Sequence, residues 1–184
     1  DWQEVLLPSQ CNYIMGNPPF VGARLMSAEQ KNDLLDVYVD EKGKSYKNTG
    51  NIDYVSAWFF KASAYMKESN VHTALVSTNS ITQGEQVAPI WKPLFERFGI
   101  EIDFAWKTFK WESESSDKAA VHVVIIGFSI AGNIGATNKA DKRLFSNGNV
   151  VQQVENINPY LMPAENVFIE NQKHPISKGV PEAR

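Results

Sequence analysis

Asn17-Pro18-Pro19-Phe20 follows directly on the apolar run Tyr13-Ile14-Met15-Gly16. Two consecutive prolines fix two φ angles and remove two backbone donors. The residue before each is pushed toward an extended conformation. The pattern predicts a strand that runs into a stiff corner. That corner presents an amide side chain, carbonyls with no competing donor and an aromatic ring together. In α/β folds ligands bind outside the carboxyl ends of the strands, and the corner would stand there. The plainer alternative is that Asn-Pro marks a simple turn, which calls for neither the second proline nor the ring.

The four residues resemble the signature Asn/Asp/Ser-Pro-Pro-Phe/Tyr/Trp of enzymes that methylate exocyclic nitrogens from S-adenosylmethionine. An adenine amino nitrogen is a poor nucleophile because its lone pair is delocalised into the ring. The resemblance implies that the Asn17 side-chain oxygen and the Pro18 carbonyl each accept one amino hydrogen. Positioning and electrostatics then carry the transfer without an acidic general base. Phe20 would stack on a base flipped out of the duplex, with Pro19 beside it, since the target atom is unreachable within the stack. Methyltransferases acting on protein glutamine and on ribosomal RNA carry the same tetrad, and cytosine-N4 enzymes more often begin it with serine.

The rest of the chain bounds the choice. Its 184 residues, 43% hydrophobic, suffice for a domain with a core. A formal charge of −3 does not by itself suggest a nucleic-acid surface. Cys11 is the single cysteine, which excludes an internal disulfide. With no glycosylation sequon and no signal-like start, a cytoplasmic setting is expected. Cys11 itself reads as a small filler before the strand rather than a nucleophile. The longest apolar run, Val121 to Phe128, is too short to span a bilayer. His72, His122 and His174 show no ligand spacing, so no metal is expected.

The elements that must position the tetrad follow from local signals. Ser27-Ala28-Glu29-Gln30 matches a capping box ahead of a helix through Leu34, Leu35 and Tyr38. Lys42 to Asn51 reads as a polar loop. Ile52, Val55, Phe59, Ala62 and Met66 recur at helical spacing, with Asn51 as N-cap and Asp53 in the first turn. Val71 to Thr78 is a buried-strand run that ends in the polar Ser77-Thr78-Asn79-Ser80. A further helix carries Val87, Ile90, Leu94, Phe95 and Phe98; Pro89 suits its first turn, whereas Pro93 is expected to kink it or delay its start. Ile100, Ile102, Phe104 and Trp106 alternate as a strand. Ala120 to Phe128 forms another, paired antiparallel to the first because no helix intervenes. Ser146-Asn147-Gly148-Asn149 marks a hairpin, with Asn-Gly suited to a type I′ turn.

This order resembles the second half of the class I S-adenosylmethionine-dependent methyltransferase fold, a partial Rossmann-like α/β sheet ending in an antiparallel pair. The glycine-rich turn that holds the cofactor in that fold is not found in this chain, which starts and stops abruptly. A piece of a larger enzyme is therefore expected, inactive alone, with its main S-adenosylmethionine motif elsewhere. Residues 1–132 would form the second half of the methyltransferase domain. Residues 133–184 would form a hairpin and linker toward a target-recognition domain. The strand at Tyr13–Met15 would be left as an edge, leading to self-association or to cover by the C-terminal part.

From Tyr13 to about Phe128 the chain is similar to γ-type DNA adenine-N6 methyltransferases. Gly50-Asn51-Ile52-Asp53-Tyr54 and Ala74 to Ser80 carry that resemblance, with Thr78 where proline is common. Phe104 to Trp111, Ala119 to Phe128 and Asn156 to Leu161 resemble the MmeI-like branch of type IIG restriction-modification enzymes. Double-stranded DNA and S-adenosylmethionine are the partners this implies, with no membrane. A non-catalytic binding module is the remaining alternative. The long insertion between Phe20 and Asn51 favours DNA over protein or ribosomal RNA. The resemblance further implies that Phe109 or Trp111 forms a second wall of the base pocket; a packed hairpin aromatic explains them equally. Lys107 and Lys110 would meet phosphate, unless they lie on a solvated strand edge. Asn79 would line the pocket or cap its turn. Asn17 and Asp53 are the candidate cofactor contacts, with Asp53 otherwise a helix-start carboxylate.

Overall fold

The computed structural model describes residues 1–111, 121–132, 141–147 and 150–170. After a short helix α1 (Trp2–Val5) the chain enters β1 (Tyr13–Gly16), α2 (Ala28–Val37), α3 (Ser56–Met66) and β2 (His72–Thr78). Then come α4 (Val87–Phe98), β3 (Ile100–Trp111), β4 (Val121–Ile130), β5 (Lys142–Ser146) and β6 (Val150–Val154). The strands form one six-stranded sheet in the order β1-β2-β4-β3-β5-β6. β1 and β2 are parallel, β4 is antiparallel to both its neighbours, and β5 returns parallel to β3.

The local signals explain these elements. Ser27 accepts from the Gln30 amide and Gln30 reaches back to the Ser27 amide, so the capping box starts α2 as expected. α4 continues through Pro93 and ends at Gly99, whose φ of +65° supplies the left-handed cap. The helix forgoes one backbone bond at Pro93; the burial of Ile90, Trp91, Leu94 and Phe98 offsets that loss. α3 starts at Ser56, later than its apolar spacing suggests, and Asn51 belongs instead to a 3-10 turn over Thr49–Asn51. Asp53 thus precedes the helix rather than lying in its first turn.

α3 and α4 cover one face of the sheet. Phe59 of α3 stacks on Phe128 at 5.6 Å and meets Trp91 of α4 edge-on at 5.5 Å. The covered face carries a row in register, Gly16, Leu75, Ile126, Ala105 and Leu144. Among the described residues no helix is long and apolar enough to cross a membrane.

Simple alternation would place Ile100, Ile102, Phe104 and Trp106 on one face. A bulge between Ile102 and Phe104 inserts Asp103, so Ile100, Ile102 and Ala105 stay in the core while Phe104 and Trp106 turn to the other face. Gly127 permits this: a Cβ there would lie 2.1 Å from the Phe104 ring. A second bulge between Trp106 and Phe109 keeps Phe109 and Trp111 on that face with Phe104 and Trp106.

The hairpin expected beyond residue 132 forms as β5 and β6, paired antiparallel, and it extends the main sheet. β5 hydrogen-bonds to β3, and Leu144, Val154, Ile157 and Leu161 join the main core. Its turn residues Gly148 and Asn149 lie outside the described residues, as does the polar connection from residue 112 to 120. Finally, β1 is an edge, with Tyr13 69% and Met15 81% exposed. Among the described residues the C-terminal part does not cover it. That segment lies along α4 instead, with Phe168 against Phe95 and Glu170 paired to Lys92 at 2.5 Å.

Candidate functional site

Because β1 and β2 are parallel, their exits lie at one end of the sheet. β3 is antiparallel to β4, which is antiparallel to β2, so β3 leaves at that end too. Three segments singled out in the sequence therefore converge: the Asn17 corner, the Asn79 turn and the Phe109–Trp111 strand end. They are not equally close. β2 neighbours β1, whereas β3 stands three strand spacings away, about 14 Å at roughly 4.8 Å per spacing.

At the corner Asn17 is exposed and Pro18 is buried; Pro19 is exposed, and Phe20 is half-buried against the core. The Asn17 amide makes no hydrogen bond to a described residue, so its oxygen is available as an acceptor. The buried proline anchors the corner while the asparagine faces outward. Asn79 is half-buried at the start of a 3-10 turn (Asn79–Thr82), and its backbone carbonyl accepts from the Thr82 hydroxyl at 2.8 Å. Its side chain caps nothing; the N-cap residue of that turn is Thr78.

Phe109 lies between Trp106 at 6.2 Å and Trp111 at 6.3 Å, and Trp106 stacks on Phe145 at 5.3 Å. Trp111, at the end of this aromatic row, is 44% exposed. Lys110 is exposed and registers with His122, while Lys107 is half-buried.

Asp53 occupies a different position from the one expected of a helix-start or cofactor-binding carboxylate. It is 6% exposed, and both oxygens accept from protein donors. Oδ1 takes the Ala23 amide at 2.9 Å and Gln86 Nε2 at 3.1 Å. Oδ2 takes the Thr78 hydroxyl at 3.3 Å and the Ser80 hydroxyl in a very short contact. Gln86 returns the bond, its Oε1 accepting from the Asp53 amide at 2.9 Å. Next along the chain, the Tyr54 phenol is held above its ordinary range by desolvation and then by its hydrogen bond to Asp33. Ala23 and Gln86 gave no chemical signal in the sequence. Only the polar Ser77–Ser80 cluster at the strand end hinted at such a role.

No group of three or more His, Cys, Asp or Glu able to hold a metal occurs among the described residues. His72 instead faces Asp103 at 3.4 Å, and Asp103 accepts from Ser129 at 3.0 Å, away from the corner.

Comparison with known proteins bears on this site. The family described as MmeI, DNA-methyltransferase domain, matches residues 1–146. DNA methyltransferase A of Bacillus subtilis (strain 168) is 42% identical over 180 residues, covering 96% of this chain and 19% of that relative. A solved structure of the type IIL restriction-modification enzyme MmeI in complex with DNA matches with a TM-score of 0.85 and 40% identity. That match covers 97% of this chain and 23% of the MmeI chain. The chain thus spans about a fifth of the length of the curated relative it matches.

Proposed function

Because this chain belongs to the MmeI DNA-methyltransferase domain family, we propose that it presents a flipped adenine for N6 methylation within a longer DNA methyltransferase. The observation that carries this reading is the outward-facing Asn17 amide, hydrogen-bonded to no described residue, beside the buried Pro18 at the ligand-binding end of the sheet. The Asn17 Oδ1 and the Pro18 carbonyl each accept one amino hydrogen, which localises the nitrogen lone pair away from the ring. Phe20 stacks on the extruded base. Phe109 or Trp111 closes the pocket from across β4, and Lys110 meets phosphate.

S-adenosylmethionine supplies the electrophilic methyl group when bound. Asn17 fits a place beside that group, since its amide is exposed and uncommitted. Asp53 does not, because it is buried and its oxygens already accept from Ala23, Gln86 and the Thr78–Ser80 hydroxyl pair. The main cofactor contacts are assigned to chain outside this segment. We assign cover of the bare β1 edge to the same outside region, so that the isolated segment self-associates there. The MmeI relative is a restriction-modification enzyme; we place the longer protein in the same class, or in phage defence, in the cytoplasm.

The test is direct. The full-length polypeptide is incubated with tritiated S-adenosylmethionine and duplex DNA, and the digested nucleosides are separated. Label in N6-methyladenine supports the reading, with none transferred by the isolated segment. Label in N4-methylcytosine, in protein glutamine or in ribosomal RNA overturns it.

Phe20→Ala isolates the stacking role. Aromatic–base stacking is worth about 1–3 kcal/mol per base, so the variant is expected to lose most flipped-base occupancy. Fluorescence of 2-aminopurine at the target position reads this. An unchanged signal would confine Phe20 to its packing against the core.

A further inference from the structure

We infer that Asp53 is the positioning residue of the Asn-Pro-Pro-Phe corner, acting through the backbone of the loop that leaves it. This rests on the reading of that corner as the methyl-transfer site. The chain beyond Phe20 has no regular structure until the Ser27 cap, so something outside the loop must hold it. Residues 53 and 54 do so. The Tyr54 amide donates to the Val21 carbonyl at 3.0 Å, and the Asp53 Oδ1 accepts from the Ala23 amide at 2.9 Å. Between them Gly22 passes close to the same oxygen: a Cβ there would lie 3.9 Å from it.

The other oxygen grips the exit of β2 through the Ser80 hydroxyl, while the single Thr78 hydroxyl proton is shared between that oxygen at 3.3 Å and Ser80 Oγ at 2.8 Å. Gln86, the N-cap residue of α4, locks Asp53 from behind through a donor and an acceptor. One buried carboxylate therefore ties the exit of β1 to the exit of β2 and the start of α4. A carboxylate offers about four lone-pair sites, and three are engaged by the Ala23 amide, Gln86 Nε2 and a hydroxyl of the Thr78–Ser80 pair. Buried at 6% exposure and turned toward these protein donors, it is placed for support rather than for a direct chemical role. Its geometry suits the support of reacting groups that must be held to within about 0.5 Å.

Asp53→Ala removes the acceptor shared by Ala23, Gln86 and the Thr78–Ser80 hydroxyl pair, and frees the loop. Misplacement of reacting groups by about 1 Å costs on the order of 10²-fold, so kcat is expected to fall by about that factor. KM values for DNA and S-adenosylmethionine should stay near wild type. Asp53→Asn should recover most of the rate. Its oxygen still accepts from Ala23 and Gln86, and its NH2 donates to the two hydroxyls, which can accept as readily as donate.

Hydrogen exchange of the full-length protein reads the same contact without turnover. The peptide spanning Phe20 to Met26 should exchange faster in Asp53→Ala and regain protection in Asp53→Asn, with α3 equally protected in all three. Should Asp53→Ala fail to fold, Gln86→Leu loosens the carboxylate from outside the corner and must show the same pattern more weakly. Unchanged exchange across Phe20–Met26 overturns the anchoring, and a freed loop with unchanged kcat overturns the positioning role. A fall confined to KM does so as well. A wild type that methylates no adenine while Asp53→Ala still frees the loop overturns the functional reading and leaves the anchor standing.

Discussion

Asn17→Ala in the full-length enzyme is expected to lower methyl transfer by about 10²–10³-fold, the scale for deleting one preorganised polar contact at a reacting centre. DNA affinity should be nearly retained. The asymmetry follows from the position of the side chain. Asn17 is exposed and supports no described hydrogen bond of the fold, so its removal leaves no buried group unpaired. Its acceptor matters only when an amino group is present, so the loss falls on kcat. Asn17→Asp keeps an acceptor in place and should retain more activity than alanine. Incorporation of tritiated methyl groups into duplex DNA measures both variants. Near-normal turnover in Asn17→Ala would remove the asparagine from the chemistry and reduce the tetrad to a turn.

Glu101→Ala should produce the largest change in stability. Lys142 on β5 is buried, its side chain 2% exposed, and its ammonium donates to Glu101 on β3 at 2.7 Å. Removing one partner of a buried pair costs roughly 3–5 kcal/mol because the other charge is left unsolvated. Glu101 is itself 33% exposed, so water reaches one side of the pair and the lower end of that range applies. A loss of about 3 kcal/mol is expected in urea unfolding of the domain. The double variant Glu101→Leu with Lys142→Met should recover most of it, since no buried charge remains. If Glu101→Ala leaves the midpoint unchanged, the ammonium must find other solvation and the pair does not hold β5 to the sheet.

The features legible in the sequence rest on interactions between near neighbours. The corner at residues 17–20 follows from proline's fixed φ and the strand pattern before it. The Ser27–Gln30 cap spans three residues, and the antiparallel meeting of β3 and β4 follows from the short connection between them. Family membership was legible for the same reason: its motifs are contiguous runs. What Asp53 does was not legible, because its donors lie 30, 25, 27 and 33 residues away along the chain. A carboxylate before a helix looks the same whether it faces water or collects donors from distant segments. Which face Phe104 and Trp106 occupy was equally hidden. A bulge is an agreement between two strands, and this one needs Gly127 of β4 beneath the Phe104 ring. Lys142 reads as a surface charge until β5 is placed against β3, since burial of a lysine is decided by the partner it meets. Local covalent constraint and periodicity thus determined the corner and the elements. Register, burial and the convergence of distant donors exist only once the sheet is assembled, and the tertiary structure alone decided them.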